Sequence, residues 1–115
     1  MKNLLFILLF PLLSCQGQDC SKLPVKFQSY DQAVELVRSS EFKIDETVNT
    51  SKSSWIRGAQ YYSCDGITGF FILTTDKQDY IYSDMPVEIW KGFQNADSFG
   101  SYYNLYIKGK WLMVL

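Results

Sequence analysis

Residues 55–84 read WIRGAQYYSCDGITGFFILTTDKQDYIYSD, and the rest of the chain is organised around this segment. Aromatic and β-branched residues, which favour strands, form three runs: one ending near Tyr62, one over residues 69–75 and one over residues 80–82. Turn signals at residues 65–66 (Asp-Gly) and 76–79 separate the runs. The pattern predicts a three-stranded antiparallel meander.

The middle run predicts the central strand. Successive side chains of a strand point to opposite faces, so Phe70 and Ile72 share one face while Phe71 and Leu73 share the other. Both faces are therefore apolar, as expected for a strand that is covered on both sides.

A helix is predicted before the meander, over residues 30–40. Ser29 followed by Gln32 has the form of a capping box, in which each side chain satisfies a free N–H at the start of the helix. The apolar stripe of this helix comprises Tyr30, Ala33, Val34, Leu36 and Val37. Residues 42–45 alternate as a half-buried strand does, and the alternation breaks at Glu46.

Two further helices are predicted after the meander. Asp84 is a candidate cap for the first, with Pro86 in its opening turn. Ser98 is a candidate cap for the second, and Gly109 a candidate stop. The predicted inner faces are Ile89, Trp90, Phe93 and Ala96 in the first helix, and Phe99, Tyr103, Tyr106 and Ile107 in the second.

The predicted fold class is α+β, with a three- to five-stranded antiparallel meander packed against two or three short helices. Residues 111–115 (WLMVL) are too apolar for a free tail, so we expect them to form an edge strand or to lie in a groove. The 115-residue length allows one domain, and 47% hydrophobic residues suffice for its core.

Composition also narrows the function. The chain has no histidine, which removes Ser-His-Asp and Cys-His nucleophile systems and histidine-based zinc motifs. A net charge of −1 argues against binding to a phosphate backbone. Asp76, Asp79 and Asp84 match no EF-hand spacing. We therefore expect no enzymatic activity, no cofactor and no metal site.

The first 14 residues, MKNLLFILLFPLLS, have the form of a signal peptide. Lys2 precedes an apolar run over residues 4–13, which is too short to span a bilayer. Residues 12–15 (LLSC) resemble a bacterial lipobox, which predicts lipid attachment at Cys15 and a membrane anchor for the exported chain. An ordinary secretory peptide is the alternative. The expected location is the cell envelope, at the outer membrane or facing the periplasm.

Cys20 and Cys64 remain once Cys15 carries lipid. An oxidising compartment makes a disulfide between them possible, and two unpaired cysteines are the alternative.

Residues 53–110 contain an ordered set of small motifs. They are Ser53-Ser54, Tyr62, Tyr80-x-Tyr82, Met85-Pro86, Trp90, residues 96–100 (ADSFG), residues 101–104 (SYYN) and Ile107-Lys108. In this order the motifs resemble the KTSC domain, a small module that also occurs alone in bacterial proteins. The family that the chain resembles has no established activity. RNA binding, which has been suggested for that family, is the one function that the resemblance implies. Phe99 departs from the family pattern, because a basic residue is common there, and RNA fits an exported protein poorly.

The chain then divides into five segments. They are a signal peptide (1–14), a tether (15–28), an N-terminal helix and strand extension (29–52), the KTSC-like domain (53–110) and an apolar C-terminal strand or tail (111–115).

Aromatic and polar residues of the KTSC-like segment are candidates for a binding surface. Tyr80 and Tyr82 share a strand face and could stack on a ligand, or pack across strands instead. Tyr102, Asn104 and Lys108 extend the candidate surface, although Asn104 could bond nearby backbone instead. We expect a non-catalytic module whose partner is a protein, peptide or glycan, with nucleic acid as the alternative class.

Overall fold

A computed structural model describes residues 23–24 and 26–115. The predicted signal peptide, Cys15 and Cys20 lie outside this part of the chain. The elements in chain order are α1 (Tyr30–Ser39), β1 (Ile44–Val48), β2 (Ile56–Ser63), β3 (Thr68–Thr75), β4 (Asp79–Pro86), α2 (Val87–Gln94) and α3 (Phe99–Tyr102), which continues into a π-helical turn (Tyr103–Ile107). No helix in the described ranges is long and apolar enough to cross a membrane.

The four strands form one antiparallel sheet in the order β1-β2-β3-β4, so the predicted α+β meander is confirmed. Asp65 builds the turn between β2 and β3. Its Oδ1 accepts hydrogen bonds from the backbone N–H groups of Ile67 at 2.8 Å and Thr68 at 3.1 Å. These bonds hold the pKa of the Asp65 carboxyl below its ordinary value, since they favour the charged form. Gly66 supplies the positive φ that the turn needs.

Apolar residues cover β3 on both faces, as predicted. Phe71 and Leu73 lie in a first core between the sheet and the helices α2 and α3. Ile72 lies in a second core beneath α1. All three side chains are fully buried, and the domain therefore has helices on both faces of its sheet.

Helix α1 begins at its predicted cap. The Ser29 hydroxyl accepts a hydrogen bond from the backbone N–H of Gln32 at 3.0 Å. The Gln32 side chain accepts from the backbone N–H of Gln28, and not from that of Ser29 as a capping box requires. Only half of the predicted capping box is formed. Ala33, Val34 and Val37 are buried on the sheet, so the predicted inner face is confirmed at these positions.

The first strand lies later in the chain than predicted. Strand β1 covers Ile44–Val48 instead of residues 42–45, and the expected break at Glu46 is wrong. β1 is an edge strand, so polar residues at its centre remain exposed without interrupting its pairing with β2. Glu46 gains a partner as well, because its Oε1 accepts from the indole N–H of Trp90 at 2.8 Å.

The passage from β4 to α2 also differs from the prediction. β4 continues to Pro86, which occupies the N-cap without a side-chain bond, so Asp84 is not the cap. Asp84 has a φ of 58°, opposite an irregularity of register between Gly69 and Phe71. This bulge turns the chain into α2, whose Val87 N–H bonds to the Ile67 carbonyl at 2.9 Å.

Ser98 caps α3 as predicted, with its hydroxyl accepting from the Ser101 N–H at 3.2 Å. Ile107 is buried, but Tyr106 is 47% exposed, so its predicted inward position is wrong. The π-helical turn explains the difference. Its closing bond from the Lys108 N–H to the Tyr103 carbonyl spans one residue more than an α-helical bond and changes the helical phase.

The C-terminal segment lies along the free edge of β4, as expected. The Ser83 N–H bonds to the Trp111 carbonyl at 3.0 Å, and Leu112 forms an antiparallel bridge with Tyr82. Met113 is buried in the second core.

Candidate functional site

A groove of about 420 Å³ opens where β3 turns into β4, facing the last helix. Three of the five predicted binding residues line it: Tyr80 from β4, Asn104 from the π-helical turn and Lys108 just after that turn. The groove combines three separate parts of the sequence, at residues 55, 73–80 and 103–108, and only the packing of the helix against the sheet brings these parts together.

Two aromatic side chains form walls of the groove. Tyr80 and Trp55 are each 38% exposed. Trp55 stands just before β2 and packs edge-on against Tyr103, with the ring centroids 5.7 Å apart. A Cβ atom at Gly100 would lie 2.7 Å from the indole nitrogen of Trp55, so glycine allows α3 to approach the indole this closely.

Trp55 is a groove residue that the sequence reasoning missed. It is the first residue of the segment 55–84, directly after the polar loop 49–54. A large aromatic residue beside a polar loop was the available signal, since such residues are less often fully buried than aliphatic ones.

Of the three charged side chains that line the groove, only the acidic one forms an ion pair between described residues. Asp76 forms an ion pair with Arg57, with Nε to Oδ1 at 2.9 Å. Lys77 and Lys108 also line the groove, and neither takes part in an ion pair between described residues. Asn104 and Lys108 make no side-chain hydrogen bond within residues 26–115. The groove therefore offers two ammonium groups and a side-chain amide to a ligand.

Tyr82 lies in the core, which corrects its assignment to a binding surface. It is 5% exposed, its hydroxyl is hydrogen-bonded to that of Tyr103, and its ring contacts Phe71 at a centroid distance of 5.9 Å. Tyr80 and Tyr82 do share one sheet face, but the helix covers only Tyr82. The alternative of cross-strand packing is therefore correct for Tyr82.

Tyr102 does not reach the groove either. Its hydroxyl donates to the Ile89 carbonyl at 3.0 Å, and its ring contacts those of Phe93 and Tyr106. The half-buried Tyr102 thus joins α3 to α2, on a different side of the helix from Asn104.

Buried tyrosines in the first core hold their protons firmly. Burial raises the pKa of Tyr61 to about 12, and its hydroxyl donates to the Met85 carbonyl at 2.7 Å. Burial, and then the hydrogen bond with Tyr103, raises the pKa of Tyr82 as well. Both phenols are neutral near pH 7, so these groups serve as hydrogen-bonding core residues.

The three aspartates examined as possible cation ligands, Asp76, Asp79 and Asp84, each have a different structural role. Asp76 pairs with Arg57, and Asp79 pairs with Arg38 at 3.1 Å. Asp84 lies in the bulge of β4. The described residues contain no group of three or more acidic or cysteine side chains that could hold a metal ion.

Cys64 is disulfide-bonded and half-buried at the end of β2. Its predicted partner Cys20 lies outside the described residues, so the pairing of these two cysteines stays a prediction. A bridge between them would attach the start of the mature chain to the turn between β2 and β3.

Comparison with known families identifies one matching domain in the chain. Residues 72–111 match the KTSC domain, from the second half of β3 to the start of the C-terminal segment. No curated protein and no solved structure matches the chain significantly. The matched residues include Tyr80, Asn104 and Lys108 of the groove, whereas Trp55 and the strands β1 and β2 precede them. The chain is therefore a KTSC domain-containing protein.

Proposed function

We propose that this protein is a non-catalytic binding module that takes its ligand in the groove between Trp55, Tyr80 and Asn104. The observation that carries the proposal is the meeting of two exposed aromatic side chains with Lys77 and Lys108, which form no ion pair within the described part of the chain. Concave sites that combine apolar walls with a few oriented polar groups are the usual form of ligand sites. The ligand is a protein, a peptide or a glycan.

The groove is suited to recognition because its walls are held in place from behind. Trp55 rests on Tyr103 and Gly100, while Tyr80 is part of a paired strand. Rigid aromatic side chains lose little conformational entropy when a ligand stacks on them. Asn104 and Lys108 then contribute hydrogen bonds that orient the ligand.

We also propose that the protein is exported and anchored in the cell envelope by lipid on Cys15. The pattern of residues 1–15 supports this proposal. The disulfide at Cys64 supports export independently, because disulfides persist mainly in oxidising compartments.

A nucleic-acid ligand is the second candidate, and the lysines of the groove favour it. Lys77 and Lys108 could contact phosphates while Trp55 and Tyr80 stack on bases. The net charge of −1 and the proposed export both count against it.

The test is to screen the purified mature protein against glycan and peptide arrays, and against single-stranded RNA at low salt. The double variant Tyr80→Ala/Asn104→Ala should weaken any groove ligand by about tenfold or more, corresponding to about 1.4 kcal/mol. Leu105→Ala is the matched control, because Leu105 lies on the same π-helical turn, is 68% exposed and does not line the groove.

Binding that the double variant and the control affect equally would refute the groove as the site. Tight RNA binding that weakens steeply with salt would instead establish the second candidate. The melting temperature of each variant must be measured alongside, since a large loss of stability would show that Tyr80 acts as a core residue.

A further inference from the structure

A second concave surface lies at the other end of the sheet, where the start of the described chain meets its C-terminal segment. Pro24, Lys26 and Phe27 line this cavity of about 440 Å³ together with Leu112 and Val114. Leu112 is 64% exposed and Val114 is 67% exposed, although both stand in an apolar segment. We call Leu112 and Val114 the tail patch.

The proposed lipid anchor lies close to this patch along the chain. Cys15 is eight residues before Leu23, where the described structure begins. Eight residues span at most about 29 Å even when fully extended. Since Pro24, Lys26 and Phe27 line the cavity beside the tail patch, the anchor keeps this side of the domain near the bilayer surface.

We infer that the tail patch rests on the phospholipid bilayer, with Leu112 and Val114 in the interfacial layer. This inference depends on the proposed lipid anchor. Two aliphatic side chains would not hold a free protein on a membrane, but a tethered domain meets the surface at a high effective concentration. Lys26 can contact anionic headgroups, while Asp84 on the same cavity limits the electrostatic attraction.

The orientation leaves the groove accessible. Phe70 lines the cavity beside the tail patch, and Thr75 lines the groove. These residues are five apart on β3, about 17 Å along the strand. Leu112 itself lies closer to the groove, because it pairs with Tyr82 and shares a cavity with Tyr80. Contact of the Phe70 side of the tail patch with lipid would leave the Thr75 end of the sheet, where the groove opens, farther from the membrane.

The test places a tryptophan at each of two equally exposed leucines in the acylated protein. Leu112→Trp probes the tail patch, and Leu105→Trp is the control, since Leu105 is 68% exposed and lies outside the cavity. Both proteins are reconstituted in vesicles of phosphatidylethanolamine and phosphatidylglycerol with brominated acyl chains. We expect the added fluorescence at position 112 to be quenched by the bromolipid and that at position 105 to be unaffected.

Every other outcome would overturn the inference. Equal quenching at both positions, or none at position 112, would overturn the inference. A blue-shifted but unquenched tryptophan at position 112 would also overturn it, because a second copy or an upstream segment of the chain would then cover the patch. A mature mass without an acyl group would refute the anchor and this inference together, and the mass spectrum separates that failure from the others.

Wild-type protein provides a check that needs no substitution. Backbone amides of residues 111–115 should exchange hydrogen more slowly in the acylated protein on vesicles than in the de-acylated protein in solution. Residues 104–106 should exchange at the same rate in both samples. Equal exchange of residues 111–115 in the two samples would contradict lipid contact.

Discussion

The indole N–H of Trp90 donates a hydrogen bond of 2.8 Å to the carboxylate of Glu46, which joins helix α2 to the edge strand β1. Trp90 is fully buried, and its ring stacks on Tyr61 with centroids 5.5 Å apart. The carboxylate thus satisfies the one polar atom of the largest core side chain, from a strand whose own residues are mostly exposed.

Replacing Glu46 with alanine should destabilise the domain by about 1–3 kcal/mol, because the buried indole N–H loses its acceptor. Glu46→Gln keeps an acceptor oxygen and should cost less than half as much. Urea unfolding followed by fluorescence measures both free energies. Asp45→Ala, at the exposed neighbouring position, is the control, and an equal loss in that variant would show that the Trp90 bond contributes nothing specific.

Substitution of Tyr82 should cost much more stability than substitution of Tyr80. Tyr82→Phe leaves the buried Tyr103 hydroxyl without its partner and should cost about 1–2 kcal/mol of unfolding free energy. Tyr80→Phe, at a 38% exposed position, should change stability by less than about 0.5 kcal/mol. Chemical denaturation of the two variants under the same conditions decides the matter, and similar losses would contradict the division into a core tyrosine and a groove tyrosine.

Alkaline pH should destabilise the domain through its buried tyrosines. The folded-state pKa of Tyr61 is raised to about 12, above the ordinary value of 10.0, so the folded state holds its proton more tightly than the unfolded chain. The contribution of the Tyr61 proton to stability is therefore fully present below pH 10 and is lost as the pH rises toward 12, by up to about 1.4 kcal/mol per pH unit.

Unfolding free energies measured at several pH values from neutral to alkaline test this expectation. Tyr61→Phe removes one of the titrating groups and should make the decline less steep, while Tyr82 continues to contribute. The assignment to Tyr61 would be contradicted if the wild-type protein showed no decline, or if the decline were the same in the variant.

Reduction of the disulfide at Cys64 should lower the free energy of unfolding by about 2–4 kcal/mol. Peptide mapping of the non-reduced protein identifies the partner, and we expect a peptide that links Cys20 to Cys64. A link between Cys15 and Cys64 would be incompatible with lipid on Cys15, and would remove the proposed anchor.

Local patterns predicted most of the secondary structure. Alternating apolar faces identified β3 as a covered central strand, and Ser29 and Ser98 identified the starts of two helices. These predictions succeeded because they depend on interactions among residues that are near in sequence. The prediction at Glu46 failed because the strand continues by backbone pairing with β2, for which the side chains of an edge strand need not alternate.

The candidate site was predictable only in part. Tyr80, Asn104 and Lys108 were expected on a binding surface and do meet at the groove, whereas Tyr82 and Tyr102 lie elsewhere. Strand periodicity places Tyr80 and Tyr82 on the same face, but it does not tell how far along the strand a helix covers that face. Trp55 enters the groove only through its packing on Tyr103 and Gly100.

By itself, the sequence determined the antiparallel meander, its turns and the helices that follow, because strand alternation, capping and glycine turns are local properties of the chain. The tertiary structure alone decided which tyrosine is buried, which acceptor Trp90 finds and where the groove opens. Those outcomes depend on how α2 and α3 pack on the sheet, and this packing joins residues that no local pattern connects.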